Sequence, residues 1–213
     1  TYVGRGTGTR YTPYHIRHRT EVAGFMTILH GDDRFYNNIF IQGRPADEPV
    51  KQGGPEEDER VVGTWCFDEY PTYEEWISWF DLEVERPDMK KLAEFHEKHL
   101  PVWIDGNAYL NGAKPWKNES SKLVNDKDKV TVELVEKDGA YTLKTNVYDL
   151  LDDFTNGIIT SDILGRAFEP DQRFERPDGS AITFDFDYFG NHRGVRTVPG
   201  PFASEASLKE TLW

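Results

Sequence analysis

Arg34-Phe35-Tyr36-Asn37-Asn38-Ile39-Phe40-Ile41-Gln42-Gly43 is the stretch that decides the fold. Its aromatic and β-branched residues suit a strand, and Gly31-Asp32-Asp33 before it and Gly43 after it are turn signals. It does not alternate cleanly, because Asn37 and Asn38 stand among its apolar positions. Parallel solenoids make use of that interruption. Their coils stack, inward positions are apolar, and an Asn at a coil corner can hydrogen-bond the same residue type in the next coil. A second stretch, Ile104-Asp105-Gly106-Asn107-Ala108-Tyr109-Leu110-Asn111-Gly112, echoes the first. With Asn107 set against Asn38, Tyr109 matches Phe40, Leu110 matches Ile41 and Gly112 matches Gly43. Two copies leave a second reading open, two ordinary strands that each end in a Gly turn.

Outward from this pair, residues 22–29 read as a strand preceding the Gly31-Asp32-Asp33 turn. The opening is rich in glycine (Gly4, Gly6, Gly8) and then polar (His15, Arg17, His18, Arg19). Between the two echoes lies an insertion, about residues 44–100. It starts with an acidic loop at 53–59 and then shows helical spacing over residues 73–80 and 87–100, with Pro87 suited to a first turn and Pro101 to a stop. From Lys117 the pattern changes to short strands and turns. Residues 130–136 and 141–147 alternate around Asp138-Gly139 as a hairpin, and residues 158–163, 166–168 and 181–188 continue the sheets. The expected organisation is therefore terminal coils of a parallel β-helix over 1–116, a β-sandwich over 117–200 and a tail, 201–213, that packs back. The class is mainly β.

The 213 residues can bury a real core, so the single Cys66 is not needed for a disulfide framework and a reducing, cytoplasmic setting is expected. No apolar run approaches the roughly 20 residues of a membrane helix. The formal charge of −13 repels a phosphate backbone, which argues against nucleic acid as a partner. Aromatic residues make up 14%, and their flat faces suit sugar rings as well as β-rich cores. Trp65, Trp103 and Trp116 are candidate stacking platforms if the chain is a carbohydrate-binding or assembly module, which is the alternative function to weigh.

No Gly-rich phosphate loop opens a helix, no closed zinc set exists, and no Gly-x-Ser-x-Gly elbow occurs, so chemistry without cofactor or metal is expected. The densest polar cluster is His15, His18, Arg19, Asp32, Asp33 and Arg34, with Arg17 and His30 beside it. These residues are the substrate-binding candidates, through hydrogen bonds to hydroxyls from loops on a rigid scaffold. The competing account is a tight Asx-type turn paired with Arg34 and solvated histidines. Glycoside hydrolysis needs two carboxyl groups about 5–5.5 Å apart for a nucleophilic mechanism or about 6.5–9.5 Å apart for water activation. Asp33 and Glu57 are the only such pair considered. Glu56-Glu57-Asp58-Glu59 is a charge run without apolar neighbours to raise an acid pKa, which argues against Glu57 as a general acid.

The runs Arg10-Tyr11-Thr12-Pro13-Tyr14-His15, residues 31–40 and 105–115, then Asp185-Phe186-Asp187-Tyr188-Phe189-Gly190-Asn191 and Pro199-Gly200-Pro201-Phe202, resemble the C-terminal part of glycoside hydrolase family 120 β-xylosidases. Gly-Asp-Asp-Arg-Phe-Tyr-Asn-Asn is the most specific of them. The resemblance implies a right-handed parallel β-helix associated with a β-sandwich, acting on xylo-oligosaccharides by a retaining mechanism with an aspartate nucleophile and a glutamate acid/base. It also implies that this pair sits on earlier coils, so no catalytic residue is expected in this chain, and the partners expected are a missing N-terminal β-helix portion and a xylo-oligosaccharide; a homo-oligomer is a further expectation. Another β-helix enzyme, such as a polysaccharide lyase, is a third reading.

Overall fold

The computed structural model describes residues 11–12, 26–27, 31–43, 61–79, 98–167, 171–204 and 212. The chain passes repeatedly between two compact units. Unit 1 comprises Thr1–Asp33, Tyr70–Trp103 and Ser161–Ala181, and unit 2 comprises Arg34–Glu69, Ile104–Thr160 and Ile182–Trp213. The described structure is mainly β with few helices, and none of its sheets closes into a barrel. Among the described residues, no helix is long and apolar enough to cross a membrane.

Unit 2 is built on stacked parallel strands. The stretch read above as one strand is broken into β3 (Arg34–Tyr36) and β4 (Ile39–Ile41), and its echo is broken in the same way into β5 (Trp103–Asp105) and β6 (Asn107–Leu110). The breaks have one cause. Asn37 has φ +54° and Gly106 has φ +75°, the left-handed turn that Asn tolerates and Gly adopts freely. A Cβ on Gly106 would lie 2.6 Å from Asn37 Oδ1, so the corner is too tight for a side chain there. β4, β6 and β7 (Lys122–Asn125) form a three-stranded parallel sheet, with β6 in the middle. Its register pairs Ile39 with Ala108, Phe40 with Tyr109 and Ile41 with Leu110, the alignment of the internal echo. Tyr109 lies flat against Phe40, with ring centroids 5.2 Å apart and planes 11° from parallel. All four residues of β6 are buried, as expected of a strand covered on both faces.

The hairpin forms as expected: β8 (Val132–Lys137) and β9 (Ala140–Thr145) pair antiparallel across Asp138 (φ +54°) and Gly139 (φ +79°). Residues 158–163 differ from expectation. Thr160 makes only an isolated bridge to Thr183, and Ser161–Leu164 turns into a helix, α2, that Gly165 stops at φ +71°. Residues 181–188 likewise form isolated bridges instead of a strand. Side chains further on compete for the backbone there. Buried Arg193 donates to Phe186 O, Val198 O, Gly200 O and Thr197 Oγ1, while the buried carboxylate of Asp187 accepts from the N–H groups of Phe189, Asn191 and Ala203. Toward the end of the described chain, Phe202 is buried among the rings of Tyr148, Tyr188 and Phe189, and Leu212 N–H donates to Tyr141 O.

In unit 1, β1 (Tyr11–Thr12) pairs antiparallel with β2 (Met26–Thr27), which falls inside the strand expected at 22–29. α1 (Tyr73–Ser78) carries a full capping box: Thr72 Oγ1 accepts from Glu75 N–H, and Glu75 Oε2 accepts from Thr72 N–H. Its Trp76 is buried. The acidic loop at 53–59 and residues 87–97 of the second expected helix lie outside the described residues, and residues 98–100 are not helical.

Candidate functional site

The predicted substrate contacts divide three ways. His15, His18 and Arg19 lie outside the described residues. Asp32 and Asp33 share the expected turn in unit 1, which is stapled by its backbone: Asp32 N–H donates to Pro101 O (2.7 Å) and Asp33 O accepts from Trp103 N–H (2.9 Å). Gly31, at φ +126°, fits there because a Cβ would fall 2.3 Å from Leu100 O. That geometry leaves the Asp33 side chain exposed and Asp32 half-buried. Arg34, half-buried, opens β3 in unit 2. Of the Trp platforms, Trp116 is buried at 4% exposure and cannot present a face to a sugar. Trp65 and Trp103 are half-buried, Trp65 donating to Val61 O and Trp103 lying 6.3 Å from the Tyr73 ring. Among the described residues, no group of three His, Cys, Asp or Glu side chains could hold a metal ion.

The most concentrated buried polar chemistry lies at the corner of the parallel stack. Asn107 is fully buried and uses its whole amide. Its Oδ1 accepts from Asn38 N–H (2.9 Å) and Asn38 Nδ2 (3.0 Å), while its Nδ2 donates to Phe35 O (2.9 Å) and Glu119 Oε1 (2.8 Å). This is the Asn-to-Asn contact between neighbouring stretches that the sequence suggested. Glu119 completes the corner from the loop before β7. Its Oε1 also accepts from Asn107 N–H (3.0 Å), and its Oε2 accepts from Tyr109 OH (2.6 Å). Because the Tyr109 proton is committed to Glu119, the 2.6 Å contact with Thr64 Oγ1 is donated by Thr64, which in turn accepts from Trp116 N–H.

Burial pushes the Glu119 carboxyl above the usual carboxylate range, and its hydrogen bonds from Tyr109 and Asn107 oppose that rise. Burial and the bond to Glu119 together raise Tyr109 as well, so its phenol stays protonated. At 4% exposure Glu119 has no route to a substrate. Its chemistry is positional: one carboxylate collects the donors of β6 and sets the height of one strand on the next. Sequence reading missed it because Asn118-Glu119-Ser120-Ser121 looks like an ordinary polar loop. The only local signal was that the loop precedes a third strand.

The corner is continued on its flank. Asn37 Nδ2 donates to Gly157 O, Asn156 Nδ2 donates to Gly106 O, and Ser121 Oγ donates to Asn156 Oδ1, so β10 (Asn156–Gly157), paired with β13 (Arg196–Thr197), runs along consecutive turns. At the other end of β7 an open cavity of about 370 Å³ is lined by Leu123, Val124, Asn125, Asp126, Lys127, Asp128 and Asp152. Its carboxylates, amide and ammonium could hydrogen-bond a polyhydroxylated ligand.

No protein-family model matches the chain, and no curated protein matches it. Among solved structures, the chain is similar to XylC in its complex with xylose, with a TM-score of 0.72 and 31% sequence identity. The match covers 96% of this chain and 30% of XylC. The chain thus has the fold of a part of XylC and spans less than a third of its length.

Proposed function

We propose that this chain is part of a retaining β-xylosidase acting on xylo-oligosaccharides, in which it supplies scaffold and rim residues. One observation carries the reading: 31% identity across 96% of the chain to a protein solved with xylose bound. In this reading the parallel stack belongs to a right-handed β-helix, the later strands contribute a sandwich, and the Asp/Glu pair that attacks and protonates the glycoside sits on coils upstream of this sequence. His15, His18, Arg19, Asp32, Asp33 and Arg34 would then face sugar hydroxyls from loops.

The buried corner gives the scaffold role a physical content. A misplacement of about 1 Å can cost a hundredfold in rate. Coils joined only by backbone ladders can slip, whereas a coil keyed by Asn38, Asn107 and Glu119 has one height relative to the next. Rigid coils of this kind would hold loop residues in place for the reacting sugar.

The test is hydrolysis of an aryl β-xyloside by this chain alone and by a longer protein carrying the preceding coils. The expected result is no turnover by the chain alone and retaining hydrolysis by the longer protein. Turnover by the isolated chain would show that the catalytic carboxylates are among these 213 residues.

A further inference from the structure

Residues 184–188 of unit 2, Phe184-Asp185-Phe186-Asp187-Tyr188, have their polarity inverted. Phe184, Phe186 and Tyr188 are 55%, 56% and 56% exposed, whereas Asp185 is half-buried and Asp187 is buried at 8%. The segment is extended where Phe184 and Phe186 stand, since Thr183 bridges Thr160 and Phe186 bridges His192, both antiparallel, and Tyr188 follows in the turn that Gly190 N–H closes on Asp187 O. Such a segment normally turns its aromatic face inward. Asp187 has a structural reason to point in, since it caps the following loop. Nothing in that role requires three large rings to face water.

Two of the rings are also held. Phe186 meets His192 edge-on at 5.2 Å, and Tyr188 meets Phe189 and Phe202 edge-on at 5.2 and 6.1 Å. Edge contacts fix a ring while leaving a face available, which lowers the entropy lost on binding. Exposed apolar surface gathered in one short segment marks an interaction site.

We propose that Phe184, Phe186 and Tyr188 form a stacking platform for an extended, neutral chain of pyranose rings. Side chains two residues apart on an extended backbone are about 6.6 Å apart, so Phe184 and Phe186 can engage successive stretches of one sugar chain, with Tyr188 at the turn beyond them. The C–H faces of pyranoses match aromatic faces, and hydroxyl edges stay in water beside Tyr188, His192 and Asp185. The formal charge of −13 disfavours a polyanionic occupant and leaves a neutral polyol unopposed. The choice of a β-1,4-xylan rests on the β-xylosidase reading above.

The experiment measures binding of β-1,4-xylohexaose to the full chain by calorimetry, for the wild type, for Phe184→Ser with Phe186→Ser, and for Phe186→Trp. Thermal unfolding of each variant checks that it folds, and sedimentation checks its assembly state. Saturable binding by the wild type, weakened about tenfold or more in the double variant and kept within about twofold by Phe186→Trp, is expected. No binding by the wild type, or equal binding by the double variant, overturns the platform. A double variant that changes assembly state and not sugar affinity overturns it too, by showing that the face joins copies of the chain. Aryl β-xyloside hydrolysis is measured in parallel on the longer protein that carries the preceding coils. If that longer protein hydrolyses no xyloside while xylohexaose binding depends on the rings, the platform stands and the β-xylosidase reading falls.

Discussion

The corner of the parallel stack and the β8–β9 hairpin are both β pairings of unit 2, yet their registers have different origins. The hairpin is written in adjacent residues. Asp138 and Gly139 take the positive φ angles of a tight turn, and everything from Val132↔Thr145 to Lys137↔Ala140 follows by counting back from it. Its side chains contribute little burial, with Val132 at 58% and Leu134 at 51% exposure. In the stack, partners stand 69 residues apart, and buried side chains select the register. Slipping β6 by one residue would take Asn107 from Asn38 and Glu119 and turn Tyr109 off Phe40. A local turn therefore makes a register cheap to form, while a buried polar lock makes it costly to leave.

The sharpest way to break that contrast is Glu119→Ala. It strands the buried donors of Tyr109 and Asn107, and a loss of about 3 kcal/mol or more is expected in chemical denaturation. Gly106→Ala comes next. It forces a side chain into φ +75° and against Asn37, with an expected loss of about 2 kcal/mol. Glu119→Gln preserves the shape and most acceptors, because Tyr109 can accept from the new amide and donate to Thr64. It should cost about 1 kcal/mol at most near neutral pH.

That last variant also exposes the titration. The folded Glu119 pKa is raised, so the folded state holds its proton more tightly than the unfolded chain. Stability must then fall as pH rises from the unfolded value, about 4.3, through the higher folded value. Denaturation midpoints of the wild type should drop relative to Glu119→Gln across that window. A difference that does not vary with pH would remove the buried carboxyl from the account. At the hairpin the expected effects are smaller. Gly139→Ala, at φ +79°, should cost about 1 kcal/mol, and Leu134→Thr on the exposed strand should stay within about 0.5 kcal/mol.

Legibility followed sequence distance. The Asp138-Gly139 turn and the Gly31-Asp32-Asp33 turn both act within a few residues, and each can be read from residue type. The pairing of Asn38 with Asn107 was readable for a different reason: both stretches carry the same pattern, so a repeat reveals a long-range contact. Residues 158–163 and 181–188 misled because their apolar content says strand. Gly165 ends a short helix there, and Arg193 and Asp187 take backbone groups that a ladder would have used. Trp116 could be named as an aromatic but not placed on the surface or in the core.

Residue order alone determined that the backbone turns at Gly31-Asp32-Asp33 and at Asp138-Gly139, which two stretches resemble each other, and that the chain is mainly β. Only the tertiary structure decided that Glu119 closes the corner and that Phe184, Phe186 and Tyr188 face water while Asp187 does not. The reason is that turn geometry is a property of a few neighbouring dihedrals, whereas burial and hydrogen-bond partnership depend on what distant segments bring to the same place.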